Sequence, residues 1–516
     1  MPGSRPLPVH PSLRYLKLEA KRRVAEGEFP ALHDAQAAMA REYGQPTWAA
    51  LKEHVGAQHD QESHALPHLR WVITRFRNAG QPGWTAPGED ELRQHFSEQL
   101  LSMVSADALI AAITEVAPLL RGELVITEQV PLGVRARIGG AEVVASSQDE
   151  PPYLLTGVNR VPIGSGITDP RVTARPPAGV FGEVPAAVAD IAEEEFTELG
   201  LVGLILAGAS PGMPEWAIAT GWANLERAEA LGTGDPLPAL GITALVTATA
   251  VLRLVADGRF SLDTPANAVL RAVRLADDTV TVRELLSYSS GIDEVPADPR
   301  EVFADAVPDL AELTGPVIGC GGPRGVIRPT NSGWAVLGQL VADATGSSYA
   351  DAAARLVLEP LGMTSSSFPL RAADIPSGAI TGYGVTAGGG FAPAPRTVCV
   401  MPAAGGLWAT AADLLRLSSG WASLLPAPLA RAALTPQASA EHGAGHAGLG
   451  WIIRPRGDTA FVSGLGPDAT ASLSVRIRDN RTHLMVTSRL IPDDSIDDRM
   501  LRAWTNPTRS PEASAS

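Results

Sequence analysis

Pro162, Gly164, Gly166, Pro170, Pro176 and Pro177 crowd into residues 161–180. Proline removes a backbone donor and fixes φ, and glycine gives up conformational restraint. A run this dense carries no regular helix or strand, so it reads as a loop that cuts the chain in two. The sequence has 516 residues, longer than one ordinary core serves, so each side of the cut must bury its own apolar face.

The front half divides again. Residues 1–57 read as a short helical module. Leu13, Leu16, Ala20 and Val24 recur at helical spacing, a second helix is expected over Leu32–Tyr43, and a third after Pro46-Thr47-Trp48, with Thr47 as its cap. Residues 57–68 are polar and hold His59, His64 and His68. They read as a solvated linker, because the histidine spacing suits no usual metal-ligand set. Over 69–160 three helical patterns (Leu69–Phe76, Glu89–Leu101, Ala106–Leu120) precede four strand-like runs (Gly122–Glu128, Val134–Ile138, Glu142–Ser146, Tyr153–Val158). That order predicts a small α+β unit. It resembles the cone-shaped domains of nuclear-transport-factor-like and steroid-isomerase-like proteins, a shape that could hold a ligand. The tail, 506–516, is rich in Pro, Ser and Ala and is expected to be disordered.

Charge excludes some partners. The formal net charge is −15. Nucleic-acid phosphates and anionic membrane surfaces both demand clustered Lys and Arg, so neither is expected as a partner. No stretch reads as a signal peptide or a membrane span, and the two cysteines, Cys320 and Cys399, make no disulfide framework. The expectation is a cytoplasmic chain with no metal and no cofactor. A small-molecule ligand is the partner class left open, and the oligomeric state is not legible.

Beyond the loop, over 181–505, six segments follow in order. They are an apolar hairpin (Val202–Gly208, then Trp216–Asn224), a helix with its exit turn (Thr247–Asp263), Val280–Ile292, Glu359-Pro-Leu-Gly-Met363, Pro402–Asp413, and Gly448–Trp451 with a last strand at His483–Arg489. In that order and spacing they resemble serine β-lactamase-like proteins, the class C β-lactamases and penicillin-binding esterases among them. The resemblance implies an α+β fold, the β-lactamase/transpeptidase-like arrangement of an antiparallel sheet flanked by helices plus a helical subdomain. The pairing with a cone-like front domain also resembles a two-domain protein type encoded near clavulanic-acid biosynthesis.

The resemblance further implies a mechanism. A Ser at a helix N-terminus attacks, a Lys one turn later activates it, a Tyr-x-Asn loop assists, and a Lys-Thr-Gly or His-x-Gly strand lines the pocket. On this chain Gly241 stands at the nucleophile position and Ala244 at the base position. Pro329 replaces the Tyr of the loop motif, leaving Asn331, and Val462 replaces the Lys or His of the strand motif, leaving Gly464. The only lysines are Lys17, Lys21 and Lys52, so no shift of register produces Ser-x-x-Lys in this domain. The expectation is a homologue that does not acylate by the family route and serves as a ligand-binding or accessory protein. The alternative is an enzyme with a repurposed non-covalent mechanism, in the old pocket or in the cone-like domain, with secondary metabolism as a setting.

Thr243, Tyr288, Asn331, Ser463 and Gly464 are the pocket candidates. Three have a bland alternative: a helix cap for Thr243, a strand hydroxyl for Ser463, packing for Tyr288. Cys320 reads as a loop cysteine and His442/His446 as a glycine-separated pair unfit for zinc. Gly208-Ala-Ser210-Pro-Gly212 carries the letters of a nucleophile elbow but leads into a strand, so it reads as a hairpin turn.

Overall fold

The computed structural model describes residues 23, 29, 32–42, 47–48, 63–81, 83–97, 100–101, 106–117, 119–130, 133–138, 141–148, 151–161, 169–296, 299–386, 390–439, 445–455, 457–491 and 495–505. Of the front module this includes α1 (Leu32–Glu42). The helices expected before it and after Trp48 lie outside the described residues, as does the tail. Contacts divide the chain into two compact units, Met1–Arg160 and Val161–Ser516.

In the first unit, α2 (Ala65–Phe76) buries Ala65, Leu69, Val72, Ile73 and Phe76, a stripe at the 3–4 residue spacing of one helix face. It packs against β2 and β3 of a four-stranded sheet. The strands, β1 (Leu124–Val130), β2 (Gly133–Ile138), β3 (Ala141–Ser147) and β4 (Leu155–Val161), neighbour one another in sequence order. A further helix, α3, spans Ala106–Glu115.

Two expectations are corrected here. The helix expected over Glu89–Leu101 spans only Glu89–Leu92. The chain leaves it because the Ser97 amide donates to Leu155 and the Leu155 amide donates to His95, drawing Phe96 alongside the fourth strand. The linker expected over 57–68 ends early, since α2 already begins at Ala65. His64 is buried and stacks on Tyr153 with ring centroids 3.9 Å apart. A His and a Tyr nearly ninety positions apart gave no local signal for that stack.

His68 and His95 meet with their Nδ1 atoms 3.0 Å apart, and Trp71 stacks on His95 at 3.9 Å. One Nδ1 must donate and the other accept, so at least one ring is neutral. Burial depresses both pKa values below the ordinary 6.5, and the neighbouring ring adds to the effect at His95. An unfolded chain therefore binds protons that this pair refuses, and stability present above pH 6.5 is lost as pH falls through that value. Protection factors of the α2 amides, with the intrinsic pH dependence of exchange divided out, should fall on going from pH 7.5 to about 5.5, and His68→Asn should flatten the dependence. An equally steep dependence in that variant would exclude the pair as its source.

The second unit is built on a ten-stranded antiparallel sheet. Its spine runs β8 (Thr459–Leu465), β9 (Thr470–Arg476), β10 (Arg481–Thr487), β6 (Gly203–Ser210), β7 (Met213–Asn224), β5 (Gly179–Phe181), with shorter strands at 438–439, 446–447 and 452–453 extending the β8 side and one at 229–230 paired to β7. β6 and β7 form a hairpin closed by Ser210 opposite Met213, so Gly208–Gly212 is the end of one strand and the turn into the next, and not an elbow. The expected loop over 161–180 is partly structured. Asp169 caps a short helix, Pro170–Thr173, by accepting from the Arg171 amide, and Gly179 already pairs with Ala219.

Two helices fill the interior. In α5 (Thr243–Ala256), every residue from Thr243 to Leu252 is buried, and the sequence is apolar on all sides, as a central helix requires. It packs on α6 (Asn331–Thr345) and on the turn Pro402–Gly405. α4 (Ala186–Glu198) and α7 (Ala411–Gly420) lie on the sheet.

Residues 495–505 are pinned by a buried polar cluster. His483 on β10 places Nε2 3.0 Å from Asp497 Oδ1 and Nδ1 2.6 Å from Thr505 Oγ1, and the Ser472 hydroxyl donates to Asp497 at 2.7 Å. Trp504 Nε1 donates to the Thr482 carbonyl at 2.8 Å.

Candidate functional site

A short turn, Leu240–Ile242, feeds directly into α5. Leu240 adopts φ +47°, a left-handed conformation that costs a branched residue of order 1–3 kcal/mol and persists only where its surroundings impose it. Gly241 follows. A Cβ built on it would overlap the Ser463 carbonyl oxygen and stand 2.7 Å from the Ser463 carbonyl carbon and 3.0 Å from Gly464 Cα. A Cβ on Gly464 would in turn stand 2.8 Å from Gly241 Cα and 3.0 Å from Leu240 Cβ. Helix turn and strand therefore touch backbone to backbone, and no side chain fits at either glycine. The structure thus brings three of the expected positions together, Gly241, Ser463 and Gly464, in a contact that leaves no space between them.

The other candidates lie elsewhere in the packing. Ala244 and Val462 belong to the hydrophobic core. Thr243 is fully buried and does not cap the helix; its hydroxyl accepts from the Leu407 amide at 3.2 Å. Tyr288 packs edge-on against Trp334 with centroids 5.2 Å apart, and burial holds its hydroxyl pKa above the ordinary tyrosine value. Ser463 points its side chain to solvent. Cys320 is half-buried and burial raises its thiol pKa, the opposite of an activated thiolate. His446 lies beside the Ser439 hydroxyl at 2.9 Å, and His442 is outside the described residues.

Asn331 begins α6, which Thr330 caps by accepting from the Gly333 amide. The Asn331 amide donates to Glu294 Oε2 at 2.7 Å, while Glu294 Oε1 is buried without a hydrogen-bond partner among the described residues. Burial raises the Glu294 pKa and outweighs the donors from Asn331 and Ser332.

A small cleft, about 40 Å3 within its walls and open to solvent, lies against the same Leu240 turn. Phe303, Ile375, Ile380 and Trp408 supply apolar wall, and Arg396 and Asp468 are the two charged residues lining it. Asp468 sits in the turn between β8 and β9. Burial raises its carboxyl to about 6. Cys399 also lines the cleft, but burial pushes its thiol up to about 11 and it donates to the Met401 carbonyl at 3.3 Å. Neither Asp468 nor Glu294 belongs to a recognisable motif, and only burial of a carboxyl, invisible in one sequence, marks them. Among the described residues no group of three or more His, Cys, Asp or Glu could hold a metal, and no helix is long and apolar enough to cross a membrane.

The sequence profile of the family described as Beta-lactamase matches residues 188–504. Penicillin-binding protein 4 of Amycolatopsis lactamdurans is 35% identical over 136 residues, covering 24% of this chain and 34% of that protein. The match thus spans about a third of that relative's length. Among solved structures, the octameric penicillin-binding protein homologue from Pyrococcus abyssi is similar with a TM-score of 0.52 at 22% identity, over 61% of this chain and 76% of that one. A penicillin binding protein from Bacillus halodurans is similar with a TM-score of 0.52 at 21% identity, over 61% and 98%. At these identities the structures speak to fold: an antiparallel sheet with helices in the β-lactamase/transpeptidase-like arrangement.

Proposed function

The chain belongs to the β-lactamase family, and we propose that within it this protein is a non-acylating member that binds a ligand or serves as an accessory protein. The observation that carries this reading is the contact between Gly241 and Ser463. Covalent catalysis needs a nucleophile, a base within hydrogen-bond reach, and room for a substrate carbonyl between helix and strand. At Gly241 the strand backbone occupies the volume a nucleophile would need. Ala244 lies in the core where a base would stand, and lysine is absent from the sequence beyond Lys52. The thiol and hydroxyls nearby offer no substitute, since Thr243 is engaged by Leu407 and Cys399 is held as the neutral thiol.

Incubation with a fluorophosphonate and, separately, with a penicillin, followed by intact mass, is expected to show no adduct. A stoichiometric adduct with either reagent would overturn the reading, and peptide mapping would name the residue that took over. A second reading, non-covalent catalysis, draws on Glu294. Its carboxyl, raised above the ordinary glutamate value by burial and with one buried oxygen unpartnered among the described residues, is the kind of group that serves as a general acid or base.

A further inference from the structure

Asp468 presents an electrostatic problem that nothing among the described residues answers. It is a half-buried carboxyl with no salt bridge among the described residues, whereas the fully buried aspartates have partners: Asp169 has Arg171, Asp413 has Arg416, and Asp497 has His483. Its donor is its own backbone amide. The other charge in the cleft, Arg396, is exposed and donates to the Ala379 carbonyl at 3.1 Å. Space has been made for the carboxyl, since a Cβ on Gly382 would overlap Asp468 Oδ2 and stand 2.6 Å from Asp468 Cβ. The same cleft is lined by Leu240, Ile380, Phe303 and Trp408, which give it an apolar and partly aromatic wall. A partly desolvated carboxylate in a cleft that also presents aromatic surface is the complement of an organic cation. The ion pair restores the charge lost to burial, and the aromatic faces attract what remains. The part of the cleft within its walls is small, about 40 Å3, so it suits only a small ion whose far end projects into solvent.

We propose that this cleft binds a small organic ammonium ion, with its charge against Asp468 and its hydrocarbon body against Leu240, Ile380 and Trp408. The proposal rests on the ligand-binding reading above and supplies its ligand class. It is also a departure from hydrolytic chemistry, because a cation held by a carboxylate needs neither Gly241 nor Ala244.

The test is isothermal titration of the full chain with n-butylammonium chloride and, in parallel, sodium butyrate, at pH 8. About 0.15 M salt screens the diffuse attraction of the protein's net charge of −15. Saturable 1:1 binding of n-butylammonium, no binding of butyrate, and a loss of roughly tenfold or more in affinity for Asp468→Asn are expected. Absence of saturable n-butylammonium binding, equal binding of butyrate, or unchanged affinity in a folded Asp468→Asn protein would each overturn the proposal. The paired ligands decide it on the wild-type chain even if the variant fails to fold. The mass measurement is independent: an acyl adduct would remove the non-acylating reading and leave these heats untouched, and silent titrations would leave that reading standing.

Discussion

Gly241→Ser, the substitution that would rebuild a nucleophile, is expected to destabilise the protein by about 3 kcal/mol and to restore no hydrolysis. A Cβ there meets the backbone of Ser463 and Gly464. A carbonyl in a paired strand cannot rotate away as the end of a flexible side chain does, so the cost belongs at the upper end of the range for overpacked cores. Gly241→Ala should cost about as much, since the clash is made by the Cβ and not by the hydroxyl. Denaturant titration of both variants, with a chromogenic cephalosporin assay of Gly241→Ser/Ala244→Lys, provides the check. Native stability in Gly241→Ser, or turnover by the double variant, would mean that β8 stands off from the helix in solution and that the pocket is open.

The second large effect lies at the end of the chain. Asp497→Ala is expected to cost about 3–5 kcal/mol, the usual penalty for removing one partner of a buried charged pair. His483 is fully buried, and both it and Ser472 would lose their shared acceptor. Asp497→Asn should cost less, because it keeps an acceptor oxygen. Burial alone would raise the Asp497 pKa, but the His483 hydrogen bond and charge, with the Ser472 donor, hold it below the ordinary 3.8. A carboxyl depressed in this way stabilises the fold above pH 3.8, and the contribution is lost as pH falls below that value. The wild-type acid-unfolding midpoint should therefore lie below that of Asp497→Asn once the difference in neutral stability is allowed for. Coincident midpoints would show that the pair carries no linked proton.

Legibility in the sequence followed the range of the forces. The hairpin expected over Val202–Gly208 and Trp216–Asn224 formed as strands Gly203–Ser210 and Met213–Asn224, and the helix expected from Thr247 begins one turn earlier, at Thr243, because the preceding turn feeds straight into it. The helix expected to reach Leu101 stopped early because Phe96 is claimed by Leu155, a partner far along the chain. At the site, the residue types at Gly241, Ala244, Pro329 and Val462 could be read directly, since absence of a functional group is a local fact. What could not be read was the space left behind. Two glycines separated by more than two hundred positions touch, and the opening lies on the Asp468 side of the turn, outside every motif. Thr243 showed the same limit. Its place suggested a cap, but the donor it serves is Leu407.

The sheet also sets a timetable for synthesis. β6 is hydrogen-bonded on one side to β7, available almost at once, and on the other to β10, with Leu204 opposite Thr487 and Ala209 opposite Thr482. At about 5–20 residues per second a ribosome needs roughly 15–55 s to travel between those partners. For that interval the apolar edge of β6, buried along nearly its whole length in the finished protein, has no neighbour on that side. It is the kind of surface that chaperones hold and that nascent chains can pair with one another. Yield from the cell should therefore depend on translation speed and chaperone supply more than on the stability of the finished fold.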